Sequence, residues 1–114
     1  MADRITISPA AGTWTIRAGG AILGESTNAL ELKENGYPTR IYFPRDDIAM
    51  AFLDDSDTKT VCPYKGDANY FSIVTKSTTI KDAAWSYETP IESVSEIVGH
   101  LSFADDERIT IEQI

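Results

Sequence analysis

The strongest constraint on this chain is its punctuation. Short runs of alternating apolar and polar residues recur along its length, and glycine, proline or Asn-Gly cuts each one short. Arg4-Ile5-Thr6-Ile7-Ser8 alternates, and Pro9 to Gly12 turns the chain. Thr13-Trp14-Thr15-Ile16-Arg17-Ala18 alternates again and ends at Gly19-Gly20. Ala21 to Ser26 then reads as its hairpin partner. Leu30-Glu31-Leu32-Lys33-Glu34 is a third run, closed by Asn35-Gly36, and Tyr37-Pro38 prolongs that turn. A chain written this way folds into sheets.

Ile41-Tyr42-Phe43 is a short strand stopped by Pro44. A single short helix is expected over Asp46–Leu53, because two aspartates in its first turn complement the helix dipole. Its apolar residues make no clean stripe, and Asp54 to Asp57 is expected to close it as a loop. Thr60-Val61-Cys62, Asn69 to Val74, Ser77 to Lys81, Ala83 to Tyr87, His100 to Phe103 and Ile109 to Ile111 read as further strands. A turn is expected at Asp82, with a turn or two of helix through Glu92–Ile97. The sum is a mainly-β single domain over residues 1–114, of about nine short strands with one short helix. Trp14 and Trp85 each set a large apolar face within an alternating run and are expected to be largely buried.

A chain of 114 residues has room for one core and no second. Its net charge of −8 argues against nucleic acid as a partner, since phosphate binding needs a basic face. The one cysteine leaves no internal disulfide and no cysteine-rich zinc site, and it suits a reducing, cytoplasmic compartment. No apolar stretch follows Met1-Ala2-Asp3-Arg4, so no signal peptide is expected. No run is long enough for a membrane helix, so no membrane partner is expected either. A homodimer is compatible with the sequence.

The unusual chemistry sits in Cys62-Pro63-Tyr64-Lys65-Gly66, a proline-stiffened turn carrying the only thiol and a lysine. Cys62 is the one candidate nucleophile if Lys65 and Arg45 stabilise its thiolate; otherwise it is a ligand contact or a small buried hydrophobe. Arg45 stands at a predicted helix start, suited to holding a carboxylate or phosphate, or else paired with Asp46, Asp47 or a nearby acidic loop. Lys65 either faces the same ligand or is solvated. Trp85 and Tyr87 lie on one side of a strand, as core or as a stacking wall for a planar ligand. His100 has Glu96 four residues earlier, within reach on a helix, but reads better as a surface strand residue.

Common catalytic and phosphate-binding motifs are missing. There is no G-x-S-x-G elbow, Walker loop or dinucleotide fingerprint. A lone histidine offers no His pair for a metal, and Asp55-Ser56-Asp57 has Lys59 and Thr60 where a calcium loop needs a ligand and a glycine. No metal and no cofactor are therefore expected.

Gly36-Tyr37-Pro38, Tyr42-Phe43-Pro44-Arg45, Thr60-Val61-Cys62-Pro63-Tyr64-Lys65-Gly66 and Asp82-Ala83-Ala84-Trp85-Ser86-Tyr87 follow one another in a fixed order. In this the chain resembles, over nearly its whole length, the bacterial family catalogued as domain of unknown function 427. The resemblance implies a β-tent type fold and brings with it a nucleotidyltransferase-like label. Such a transferase would need two carboxylates converging on magnesium, whereas Asp46 and Asp47 are neighbours that point apart on a helix. β-tent folds often carry paired C-x-x-C zinc knuckles, but Cys62 stands alone here, so hydrophobic packing must close the tent. His100 stands where the family pattern more usually has tyrosine.

The function expected from all this is the binding of a small anionic ligand in a pocket near the Cys62–Gly66 turn, with Arg45, Cys62 and Lys65 on its rim and Trp85 and Tyr87 on its wall. The alternatives are an enzyme, thiol-dependent or nucleotidyltransferase-like, and an interaction module that uses a strand edge.

Overall fold

The computed structural model describes residues 4–114; Met1 to Asp3, which open the stretch read above for a leader, lie outside them. Among the described residues, ten strands form three antiparallel sheets. The first sheet is ordered β1 (Ile5–Pro9), β4 (Leu30–Glu34), β5 (Arg40–Tyr42), and the second β10 (Ile109–Gln113), β2 (Trp14–Ala18), β3 (Ala21–Ser26). The third and largest runs β6 (Leu53–Cys62), β7 (Gly66–Val74), β8 (Thr79–Ser86), β9 (Ser102–Phe103). The mainly-β fold expected from the alternating runs is the one that forms.

The turns follow their residues. Gly19 and Gly20 join β2 to β3 with φ of +55° and +81°, the paired positive values a tight two-residue hairpin demands. Two backbone hydrogen bonds between Phe43 and Leu101, at 2.8 and 2.9 Å, tie the end of the first sheet to the third.

The expected helix over Asp46–Leu53 does not form. Arg45–Asp47 and Met50–Phe52 are single 3-10 turns, and Ile48 between them is extended, with φ −110° and ψ 135°. A tertiary contact explains this. Ile48 bridges to Gly24, and Ala49 N–H donates to the Leu23 carbonyl at 2.7 Å, which a continuous helix would forbid. Gly24 permits the approach, because a Cβ there would sit 2.5 Å from the Asp47 carbonyl oxygen. Without an apolar stripe, the segment gains more from pairing with β3 than from closing on itself.

The expected loop at Asp54–Asp57 is instead part of β6, an edge strand whose exposed aspartates discourage further pairing. The two strands expected on either side of Asp82 are one strand, β8, with Asp82 at φ +52° inside it. Asp82 is held in that left-handed conformation by Ser56 and by Thr58, whose hydroxyl donates to its carboxylate at 2.7 Å. Glu92–Ile97 forms the expected helical turns, as a kinked 3-10 segment that buries Val94 and Ile97.

The third sheet is covered on both faces. Phe71 and Ile73 of β7 and Ala84 of β8 join Ile16, Leu23, Phe43, Leu101 and Phe103 in the larger core. Ala68 of β7 faces the other way, into a smaller cluster with Leu32, Tyr42, Tyr87, Val94 and Ile97. Tyr70 and Trp85 pack against that smaller cluster. Trp14 and Trp85 are half-buried, less than expected; each is a wall residue with its indole N–H hydrogen-bonded. Among the described residues, no helix is long and apolar enough to cross a membrane.

Candidate functional site

The smaller cluster is incompletely filled, and the gap is a cleft of about 420 Å³. Its roof is the β6–β7 hairpin, where Cys62 pairs with Gly66 across Pro63-Tyr64-Lys65 and Lys65 N–H donates to the Cys62 carbonyl at 3.2 Å. Ile91 N–H clamps this turn from outside by donating to the Lys65 carbonyl at 2.9 Å. Gly66 makes that docking possible. Its φ is +117°, and a Cβ would lie 3.3 Å from the Thr89 carbonyl oxygen.

Lys65 is turned inward rather than solvated. It is 9% exposed, and its Nζ lies 2.6 Å from Glu34 Oε1. The β1–β4 register sets Ile5 opposite Glu34, which brings Arg4 within 3.5 Å of the second carboxylate oxygen. The Arg4 guanidinium also lies over the Tyr64 ring, 3.9 Å from its centre. One carboxylate thus anchors two cations at the cleft's edge.

The opposite wall is aromatic. Trp85 in β8 and Tyr87, the residue after its end, face the same side, and Tyr70 of β7 stands beside Trp85 with ring centres 6.3 Å apart. Arg40 lies over the Trp85 ring at 5.4 Å and pairs at 3.1 Å with Asp105, whose side chain is largely in solvent. Trp85 Nε1–H donates to the Tyr42 hydroxyl at 3.2 Å. Burial is the main reason that the Tyr42 hydroxyl is pushed up to about 12, and burial raises Tyr87 as well. Tyr42, Cys62, Tyr70 and Glu34 are all close enough to Tyr87 to add to its shift, so these polar ends gather around one space.

Of the five residues the sequence singled out, Cys62, Lys65, Trp85 and Tyr87 line this cleft and Arg45 does not. Arg45 lies against the other face of the third sheet. Its Nε donates to the Gly99 carbonyl at 3.0 Å and one terminal nitrogen to Ser86 Oγ at 3.1 Å, with Glu88 as its ion-pair partner. Strand parity is the cause: Ser86 points away from the side that Trp85 and Tyr87 share. The helix start that made Arg45 attractive is only a single 3-10 turn. Neither Asp46 nor Asp47 pairs with it. His100 is also away from the cleft, its Nδ1 3.0 Å from the Val98 carbonyl.

Sequence reasoning missed Arg4, Glu34, Arg40, Tyr42 and Tyr70. The alternation of β7 and β8 held a signal for Tyr70, which shares the side of Trp85. In the Tyr42-Phe43-Pro44-Arg45 stretch it is Tyr42, not Arg45, that faces the cleft. Arg4 and Glu34 become neighbours only through strand register, which no local pattern reveals.

The family model described as domain of unknown function (DUF427) matches residues 6–113. The chain belongs to this family. A comparison with curated proteins finds no match. The nucleotidyltransferase label attached to the DUF427 family would call for carboxylates free to hold magnesium. The cleft offers Glu34 alone, already bound to Lys65 and Arg4, and no group of three metal-binding side chains occurs among the described residues. The donor set does not fit that ion.

Proposed function

We propose that this DUF427 protein binds a small planar anion in the cleft under the Cys62–Gly66 turn. The supporting observation is a contrast of charge. The chain has 18 acidic residues against 10 lysines and arginines, for a net charge of −8. The cleft lining inverts that ratio: Arg4, Arg40 and Lys65 stand against the single carboxylate of Glu34, formally +2. A positive concavity in a negative surface draws an anion to one place. Arg40 remains open to it, because its pairing with solvent-exposed Asp105 is screened and weak. Trp85 and Tyr70 supply flat faces for a planar body.

Thermal-shift measurements on the folded protein test this reading. Benzoate should raise the melting temperature, while benzamidinium at the same ionic strength should not, since only a ligand of the native state stabilises it. Arg40→Ala should remove most of the rise. Equal shifts for anion and cation would overturn the proposal.

A thiol-dependent reading has one observation in its favour, that Cys62 is half-buried in the cleft wall beside the proposed ligand. It predicts covalent capture of an electrophile at Cys62 by the folded protein, which intact-mass measurement after incubation with N-ethylmaleimide would reveal.

A further inference from the structure

We infer that the ligand enters oxygen first, and that the hydroxyls of Tyr42 and Tyr87 are a pair of donors for a carboxylate or carbonyl oxygen at the inner end of the cleft. The inference rests on the anion-binding reading above and specifies the chemical class: a planar compound bearing a carboxylate or a conjugated carbonyl.

Two hydroxyls at the cleft carry the argument. Tyr42 is 1% exposed, and its oxygen accepts the Trp85 indole N–H. The hydroxyl proton of Tyr42 has no acceptor among the described residues. Tyr87 is 5% exposed and lines the cleft, and its hydroxyl makes no side-chain hydrogen bond among the described residues. Two hydroxyls whose O–H groups donate to no protein group therefore meet at this cleft, free to donate to whatever enters it.

Their chemistry fixes what that something is. Both hydroxyls keep their protons at neutral pH, as an ordinary tyrosine does, and burial raises each further above that range. On Tyr42 the indole already occupies an acceptor position, so the hydroxyl is left to donate. The nearby carboxylate is not the missing acceptor: Glu34 takes Lys65 Nζ at 2.6 Å and accepts from neither hydroxyl. An ammonium ligand would arrive with donors where donors already wait. An oxygen with free lone pairs fits, and a charged one fits better, because hydrogen bonds to an anion are the stronger kind. The more exposed Arg40, over Trp85, then holds the outer part of the ligand.

The Trp85 indole N–H reports directly on this seat, since it is bonded to Tyr42. Its nuclear magnetic resonance signal, assigned with Trp85→Phe, is followed as benzoate, benzamidinium or inorganic phosphate is added to the intact protein. Benzoate should move the signal saturably and benzamidinium should not. Tyr87→Phe and Tyr42→Phe should each weaken benzoate about tenfold, the loss expected for one hydrogen bond to a charged group. Unchanged Trp14 and backbone signals in Tyr87→Phe show that its fold survives. If benzoate binds the wild type and both phenylalanine variants equally, the hydroxyl seat is wrong although the anion reading stands. If phosphate binds and benzoate does not, the ligand class is wrong. If neither moves the signal at millimolar concentration, or benzamidinium binds better, the anion reading falls and takes this inference with it.

Discussion

The two faces of β8 treat their polar groups in opposite ways. On one face Ser86, fully buried, meets Arg45, which also reaches Gly99 and Glu88. Nothing there is left over, and Arg45 works as a brace between the third sheet and the segment after Pro44. On the other face Trp85 and Tyr87 meet Tyr42 with hydroxyl protons to spare, around a cleft rather than a packed core. The difference teaches how to tell a structural polar cluster from a binding one. Arginine, with its fork of donors, looks like the ligand-holder from sequence, yet it is the satisfied group. The site lies where satisfaction is incomplete.

The largest effect should come from the pair that holds the cleft open. Glu34 and Lys65 have side chains only 8% and 11% exposed, so removing one partner strands a buried charge. Glu34→Ala should cost roughly 3–5 kcal/mol in urea denaturation, whereas the double change Glu34→Leu with Lys65→Met should cost far less. A single change that proves as mild as the double would mean that this rim is more hydrated than its burial implies.

Tyr42 supplies a pH test. Its hydroxyl value is raised in the folded protein from 10.0 to about 12, so its contribution is fully present below pH 10 and is lost as pH climbs to 12. Roughly 2–3 kcal/mol of stability should disappear across that window on account of Tyr42, and Tyr42→Phe should make this part of the profile shallower, leaving the fall that the raised Tyr87 contributes. A wild-type profile identical to that of Tyr42→Phe would show the hydroxyl to be well solvated.

The smallest changes sharpen the comparison most. Ser86→Ala deletes a satisfied hydroxyl on the brace face and should cost about 1 kcal/mol. Tyr87→Phe deletes a hydroxyl with no protein partner on the cleft face and should change stability by less than about 0.5 kcal/mol, in either direction. Equal costs would erase the distinction between the faces.

Much of this arrangement was legible in the sequence, for local reasons. The alternating runs and glycine turns predict the strands, because side-chain period and positive φ are local properties. The Cys62–Gly66 turn and the Trp85–Tyr87 parity point to the cleft for the same reason. What escaped was decided by contacts distant in sequence. Asp46–Leu53 has helical signals, but Gly24 lets β3 capture Ile48 and Ala49. Asp54 to Asp57 reads as a loop, yet it belongs to β6, which Ser56 and Thr58 tie to Asp82 in β8. Glu34 looks like a solvated strand-end acid until register sets it beside Arg4 and Lys65. Arg45 went astray because its helix did not form and its strand neighbours pointed the other way.

The central claim, that the cleft is an open site taking an anion, is tested most directly at its single thiol. Cys62 is the chain's only cysteine, so the rate of iodoacetamide labelling reads this cleft alone. The folded protein should label at a measurable rate, benzoate should slow it, and benzamidinium at equal ionic strength should leave it unchanged. Labelling that occurs only after unfolding, or that benzoate does not slow, would contradict the account.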